Sequence, residues 1–187
     1  MTLSLAHLWL PILLSAAAVW FWSFLSWAIL SVHKGDFGGV PNEDEFLSAL
    51  KPLNLKPGNY GFPHCESHAK SKDPAFVEKW KTGPAGLLNV WKPNPNMGLN
   101  MLLSFIVYLI VSLLIAYVGV AAALPRGAGF AKVFQVLGTV GILSYSFAFL
   151  PTMIWFQASR NAKITGVLDG VISGLATGAI FAVLWPS

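Results

Sequence analysis

The stretch ITGVLDGVISGLATGAIFAVLW, residues 164–185, is the most informative part of this 187-residue sequence. It is apolar, lacks lysine and arginine, and as a helix rising 1.5 Å per residue it crosses the ~30 Å hydrocarbon core of a bilayer. Four glycines recur in it at every fourth position, which is one face of a helix: Gly166, Gly170, Gly174 and Gly178. Small residues on one face allow helix backbones in lipid to approach closely. This glycine zipper therefore predicts a helix-packing face, against another span of the same chain or against a second protein molecule.

A line of polar residues runs beside the glycine face at the same spacing: Asp169, Ser173 and Thr177. Asp169 is the only acidic residue in or near an apolar run, and carboxylates within a membrane are costly and often functional. The three residues are therefore a candidate intramembrane polar site. The alternative for Asp169 is an anchoring role. The positive N-terminus of the helix attracts a carboxylate in its first turns, and Arg160 or Lys163 would be its ion-pair partner.

Three further apolar runs have a similar length, at residues 8–31, 99–124 and 133–157, and none contains lysine or arginine. The composition agrees, with 55% hydrophobic and only 11% charged residues, against about 25% charged residues in ordinary soluble domains. This balance excludes a plain soluble globule and a disordered chain. Tryptophans in the first run are atypical of a cleaved signal peptide, which favours a retained span. We predict an all-α membrane protein with four transmembrane helices.

The residues between the first and second runs form a polar insert, 33–98, which holds 8 of the 12 basic and 7 of the 8 acidic residues. The predicted organisation is a first transmembrane span at 1–32, the extramembrane insert at 33–98, and three further spans at 99–187. The insert is the only part that could form a solvated subdomain, and we predict a short α+β fold for it.

Local signals within the insert predict its elements. Asn42 followed by Glu45 is typical of a helix start with a capping box, for a helix ending near Leu50. Asp73 followed by Pro74 predicts a second start, with the cap and then proline in the first helical position. The segments 59–62 and 85–91 have an extended pattern and predict a small sheet.

The third run contains Ser144, Tyr145, Ser146 and Pro151. Proline removes a backbone donor and predicts a kink at this point of the helix. A kinked, hydroxyl-rich helix could line a cavity, although such hydroxyls more often bond to the backbone or across a bundle.

One stretch of the insert carries metal-ligand side chains, at His64, Cys65 and His68. Imidazole and thiolate are legitimate zinc ligands, but a structural site needs four ligands in two pairs, and no second pair is present. A surface loop is the alternative interpretation. His7 and His33 stand at the two ends of the first run and the other runs have no histidine, which argues against a two-haem bundle. We therefore predict no cofactor.

Four motifs of the insert resemble a family of small uncharacterised bacterial membrane proteins: Pro41-Asn42-Glu43-Asp44, Pro57-Gly58-Asn59-Tyr60, Phe62-Pro63 and Gly83-Pro84. The layout of four spans with a polar insert after the first is similar as well. The resemblance implies a multi-pass protein of the bacterial inner membrane. These are turn and cap motifs, and the family has no assigned activity, so the resemblance implies no functional residues.

Two functions from different classes follow from these patterns. The first is a structural or accessory subunit that packs in a larger membrane complex or as a homo-oligomer through its glycine face. The second is a small transporter, channel or ligand-binding protein built on Asp169, Ser173, Thr177 and the kinked third span. The sequence lacks the motifs of common enzyme classes, so we predict no enzyme, no nucleic-acid partner, and a lipid bilayer with protein partners or self-association.

The charge distribution predicts which side the insert faces. Cations near the membrane number four on the insert side and two on the side of the termini: Lys34, Lys92, Arg160 and Lys163 against Arg126 and Lys132. The positive-inside rule then favours a cytoplasmic insert.

Overall fold

Four helices of this protein are long and apolar enough to cross a membrane: Leu5–Ile29, Met97–Ala121, Phe130–Trp155 and Arg160–Val183. They are seen in a computed structural model that describes residues 3–187. Their bounds lie within four residues of the predicted runs, which confirms the prediction of four apolar helices. We refer to them as the first to fourth spans.

The chain divides into two units, Met1–Gly38 with Met97–Ser187, and Gly39–Asn96. The first unit holds the four spans. It also takes in residues 33–38, which the sequence analysis assigned to the insert, because polar side chains of this segment bond to the fourth span. The second unit is the remainder of the insert.

The first span changes its helical form along its length. A 3-10 turn at Leu5–Leu8 leads into α1, Trp9–Phe24, which continues as a π-helical turn at Leu25–Ile29. Ser31 then takes the left-handed conformation, with φ of 54°, and the chain enters a 3-10 turn at Val32–Gly35. The left-handed residue reverses the chain direction, so residues 33–38 return toward the bundle.

The insert contains two helices and two strands. The helices are α2, Glu43–Leu50, and α3, Pro74–Thr82. Strands β1, Gly58–Phe62, and β2, Gly86–Val90, pair antiparallel with Gly58 opposite Val90. These elements lie where the sequence predicted helices and a small sheet.

The two predicted helix caps of the insert have different outcomes. The Asp73 side chain accepts a hydrogen bond from the Ala75 amide at 2.9 Å, as predicted. Asn42 precedes α2 but makes no side-chain cap, so the predicted capping box is wrong. Its backbone is left-handed, with φ 54° and ψ 55°, whereas a capping side chain needs an extended backbone to reach the first helical amides.

The third span is interrupted near its middle. It consists of α5, Phe130–Ile142, a π-helical turn at Leu143–Phe147, and α6, Leu150–Trp155. The irregular segment lies in the turns before Pro151, which itself lies in the first turn of α6. Proline disrupts the hydrogen bond to the carbonyl four residues earlier and is well tolerated in a first helical turn.

The glycine face of the fourth span packs against the third span of the same chain. A Cβ atom on Gly178 would lie 2.6 Å from the Gly138 Cα, and one on Gly174 would lie 2.7 Å from the Gly141 carbonyl carbon. One on Gly170 would overlap the Tyr145 carbonyl oxygen. The backbones of α5 and α7, Arg160–Val183, are thus in direct contact along this face.

The apolar core of the helical unit lies where the start of the first span meets the end of the fourth and the neighbouring parts of α4, Met97–Ala121, and α5. Its buried members are Leu8, Ile12, Ile115, Ala116, Leu124, Val133, Leu137, Phe181 and Ala182. Polar side chains occupy the interior near the other end of the first span.

Candidate functional site

A histidine held between two carboxylates is the centre of the candidate site. The His33 Nδ1 atom lies 2.6 Å from the Asp36 Oδ2 atom, and the His33 Nε2 atom lies 2.8 Å from the Asp169 Oδ2 atom. Because both ring nitrogens face carboxylate oxygens, an imidazolium that donates from both nitrogens satisfies both contacts. We call these three side chains and Ser26 the histidine cluster.

Local structure brings the cluster together from three parts of the chain. The π-helical turn that ends the first span presents Ser26 toward the fourth span, and the left-handed Ser31 returns the chain so that His33 follows. The Trp27 ring stacks on the imidazole with centroids 3.8 Å apart and planes 6° from parallel. Single π-helical turns within helices often occur at functional sites.

Asp36 is anchored by the first turns of α7. Its carboxylate accepts hydrogen bonds from the Thr165 hydroxyl at 3.0 Å and from the Asn161 amide at 2.7 Å. The Ser159 hydroxyl donates to the Asp36 backbone carbonyl at 3.1 Å. These bonds place a carboxylate at the positive end of a helix dipole, which favours its charged form.

Ser26 joins the two sides of the cluster. Its hydroxyl is 2.9 Å from each Asp169 carboxylate oxygen and donates to that group, and it is 3.1 Å from the His33 Nε2 atom. The serine is fully buried. Its side chain therefore fixes the orientation of Asp169 relative to the imidazole.

The environment shifts the pKa of both extramembrane members of the cluster. Burial of the imidazole lowers the pKa of His33, but hydrogen bonds to Asp36 and Asp169, and the charges of both carboxylates, outweigh burial and raise it above 6.5. Burial raises the pKa of Asp36, but hydrogen bonds from His33, Thr165 and Asn161 outweigh it and lower the pKa below 3.8. Both shifts favour the charged pair.

These shifts predict a pH window of greatest stability. The raised pKa of His33 gives a stabilising contribution that is complete below about pH 6.5 and is lost as the pH rises through the pKa of the folded state. The lowered pKa of Asp36 gives a second stabilising contribution, which is present above about pH 4 and is lost as the pH falls through the pKa of Asp36 in the folded state. Thermal unfolding in detergent should therefore show a maximum between these limits.

The variant His33→Gln should lose the alkaline decline in melting temperature, whereas His7→Gln, which alters an exposed histidine, should keep it. An identical alkaline decline in the wild type and in His33→Gln would contradict the assignment.

A cavity of about 310 Å³ adjoins the cluster and is bordered by residues of all four spans. The Asp169 side chain is 18% exposed, against 5% for His33 and 4% for Asp36. The cavity's aromatic residues are Trp22, Trp27, Phe37, Tyr108, Tyr145 and Phe149. The Trp22 indole N–H is buried and has no acceptor within residues 3–187. The cavity thus combines aromatic walls with one accessible carboxylate.

The three residues of the predicted polar line lie in different environments in the structure. Asp169 belongs to the cluster and Ser173 borders the cavity, whereas Thr177 is fully buried and does not border it. Asp169 pairs with His33 in the described part of the chain and not with Arg160 or Lys163, so the predicted pairing is wrong. Those cations precede Asp169 by nine and six residues, about 13 Å and 9 Å along a helix, whereas side chains pair at three or four residues.

The candidate metal ligands of the insert are not assembled into a site. Among residues 3–187, no group of three or more His, Cys, Asp or Glu side chains is arranged to hold a metal ion. The Cys65 thiol instead donates to the Ser67 carbonyl at 3.1 Å. His64, Cys65 and His68 lie in a short loop, whose backbone does not bring the three side chains to one point.

The connections among Ser26, His33 and Asp36 match those of a serine–histidine–aspartate triad. Three features oppose acyl transfer here. Ser26 is fully buried and does not border the cavity, its proton is directed to Asp169, and that carboxylate would repel a developing oxyanion. The geometry is that of a charged, hydrogen-bonded cluster at the edge of a cavity.

Comparison with models of protein families, with curated proteins and with solved structures found no match for this chain.

Proposed function

We propose that this chain is a multi-pass membrane protein that binds a small molecule in the cavity beside Asp169. The observation that carries the proposal is that three members of the histidine cluster, His33, Asp36 and Asp169, border a cavity, and that Asp169 is the most exposed of the three. Charges near the membrane interior are expensive to maintain and are most often found where they serve a function.

The size and lining of the cavity support the proposal. Ligand sites occupy about 300–1,000 Å³ and combine mostly apolar and aromatic walls with a few convergent polar groups, and this cavity has about 310 Å³. Both π-helical turns contribute to it, through Trp27 and Tyr145. The two irregular turns and the cluster are thus concentrated at one place.

We favour ligand binding over the role of an accessory subunit. That role depended on a glycine face available to a second chain, and three of the four glycines contact the backbone of the third span. We also propose binding without catalysis, given the environment of Ser26.

The variant Ala162→Phe tests the proposal. Ala162 borders the cavity, and a phenyl ring there would occupy the space of a ligand. Native mass spectrometry of the protein extracted gently from its own membrane should show a bound non-protein mass in the wild type and at least a tenfold lower occupancy in Ala162→Phe.

The matched control is Leu175→Phe, which places the same ring at an exposed position of the same helix (41% exposed) and should keep the wild-type occupancy. A wild-type protein without bound mass, or equal occupancy in both variants, would overturn the proposal.

A further inference from the structure

The geometry points to an organic cation of the quaternary ammonium type as the ligand of this cavity. This inference rests on the proposed function and narrows it to one chemical class. It depends on three observations: the charge of the cluster, the use of its hydrogen-bonding capacity, and the aromatic lining.

The cluster has an excess of negative charge. Two carboxylates, Asp36 and Asp169, are balanced by one imidazolium, His33, which leaves a net charge of about −1. Within residues 3–187, no lysine or arginine borders the cavity. Because Asp169 is the most exposed of the three side chains, the uncompensated charge faces the cavity.

This charge excludes two other classes of ligand. An anion would be repelled by Asp169 at short range without a basic residue to compensate. A neutral apolar molecule would displace solvent from the carboxylate and offer nothing in return, which is costly. A cation is instead attracted by the negative charge of the Asp169 carboxylate.

The hydrogen bonds of the cluster allow a cation without N–H donors. The single Ser26 hydroxyl proton is shared between the two Asp169 oxygens, at 2.9 Å from each, and Oδ2 also contacts the His33 Nε2 atom. Asp36 accepts from His33, Thr165 and Asn161. The Asp169 carboxylate thus has two protein donors already, so a ligand need not supply an N–H group to it, and its negative charge remains available to a cation.

The aromatic lining of the cavity also favours a quaternary ammonium group. Aromatic faces attract cations, and aromatic-lined sites are the usual means by which proteins recognise quaternary ammonium groups. Trp22, Tyr108 and Phe149 border the same cavity as Asp169. The same ammonium group could belong to a free small molecule or to the headgroup of a choline lipid.

The test compares choline with 3,3-dimethyl-1-butanol, a neutral molecule of nearly the same shape in which carbon replaces nitrogen. Titration calorimetry on the full-length protein, in a detergent without ammonium groups at pH 6, should give about tenfold tighter binding of choline. Equal binding of the two probes, or no binding of choline, would overturn the inference.

Two variants test whether the difference in affinity between choline and the neutral probe arises in the cavity. Asp169→Asn keeps an acceptor for Ser26 and should lower the affinity for choline about tenfold, to that of the neutral probe. Glu78→Gln removes the same charge from an exposed residue of the insert and should leave choline binding unchanged. An affinity that falls equally in both variants would contradict a local role for Asp169.

Nanodiscs distinguish the two sources of the cation. Native mass spectrometry of protein released from an equal mixture of phosphatidylcholine and phosphatidylglycerol should show retention of the choline lipid if the headgroup is the ligand. Choline binding without lipid preference would support a free cation. A bound anionic or neutral molecule that is lost in Ala162→Phe would refute a cation as the ligand but would support the proposed function. Equal occupancy in Ala162→Phe and Leu175→Phe would refute the proposed function itself.

Discussion

Gly174→Ala is expected to destabilise the folded protein by at least about 3 kcal/mol, the upper range for overpacking a tight interior. The added Cβ atom would lie 2.7 Å from both the Gly141 carbonyl carbon and the Ile142 Cα atom. These are backbone atoms of the third span, so no side chain can rotate to make room. Alanine gains about 1 kcal/mol of helix propensity over glycine, which is smaller than the expected cost of separating two helices.

Gly166→Ala is the matched control for this prediction. Its Cβ atom would meet the Phe149 ring at 3.2 Å and the Met153 sulfur at 3.8 Å, both of which belong to side chains that can move. We expect a stability close to that of the wild type. Unfolding of both variants by titration with SDS from a mild detergent measures the difference, and equal midpoints would refute the close packing of the fourth span on the third.

His33→Ala is expected to cost about 3–5 kcal/mol, the range for removing one partner of a buried ion pair. Asp36 is 4% exposed and would keep its charge without the cation, and Asp169 would lose the same partner. The hydrogen bonds from Thr165 and Asn161 remain but supply no compensating charge. The same SDS titration, carried out at pH 6, measures the loss.

The control is His7→Ala, since His7 is exposed and its side chain forms hydrogen bonds with the nearby Ser4 and none with a carboxylate of residues 3–187. It should leave the midpoint close to that of the wild type. The destabilisation by His33→Ala should also shrink as the pH is lowered, because protonation neutralises the Asp36 carboxylate that the substitution leaves without its cation. A cost that does not change with pH would indicate lost packing instead of lost charge.

Much of the fold could be predicted from local patterns. The four spans follow from uninterrupted apolar runs, since lipid requires every backbone group to be bonded within its own segment. The helix beginning at Asp73 and Pro74 follows from cap chemistry, which acts over three or four residues. Asn42 shows the limit of such rules, because its backbone is left-handed and its side chain makes no cap, which the residue types do not indicate.

The candidate site was predicted only in part. Asp169 and Ser173 drew attention because polar residues are rare in apolar runs. His33 stands out in the sequence only as a possible haem ligand at the end of the first run, and Asp36 does not stand out, because an aspartate just beyond a span is ordinary there. The spacing of three residues between His33 and Asp36 allows their side chains to pair. It indicates a site only once the chain is known to return toward the fourth span after Ser31.

Periodicity, length and cap chemistry act within one segment, so the four apolar helices and a glycine face able to take a close neighbour can be predicted from the amino-acid sequence. Only the packing of distant segments shows that this neighbour is the third span and that Ser26, His33, Asp36 and Asp169 share hydrogen bonds beside a cavity. Those contacts join residues up to 143 positions apart, and they depend on two helical irregularities and one left-handed residue that no local pattern specifies.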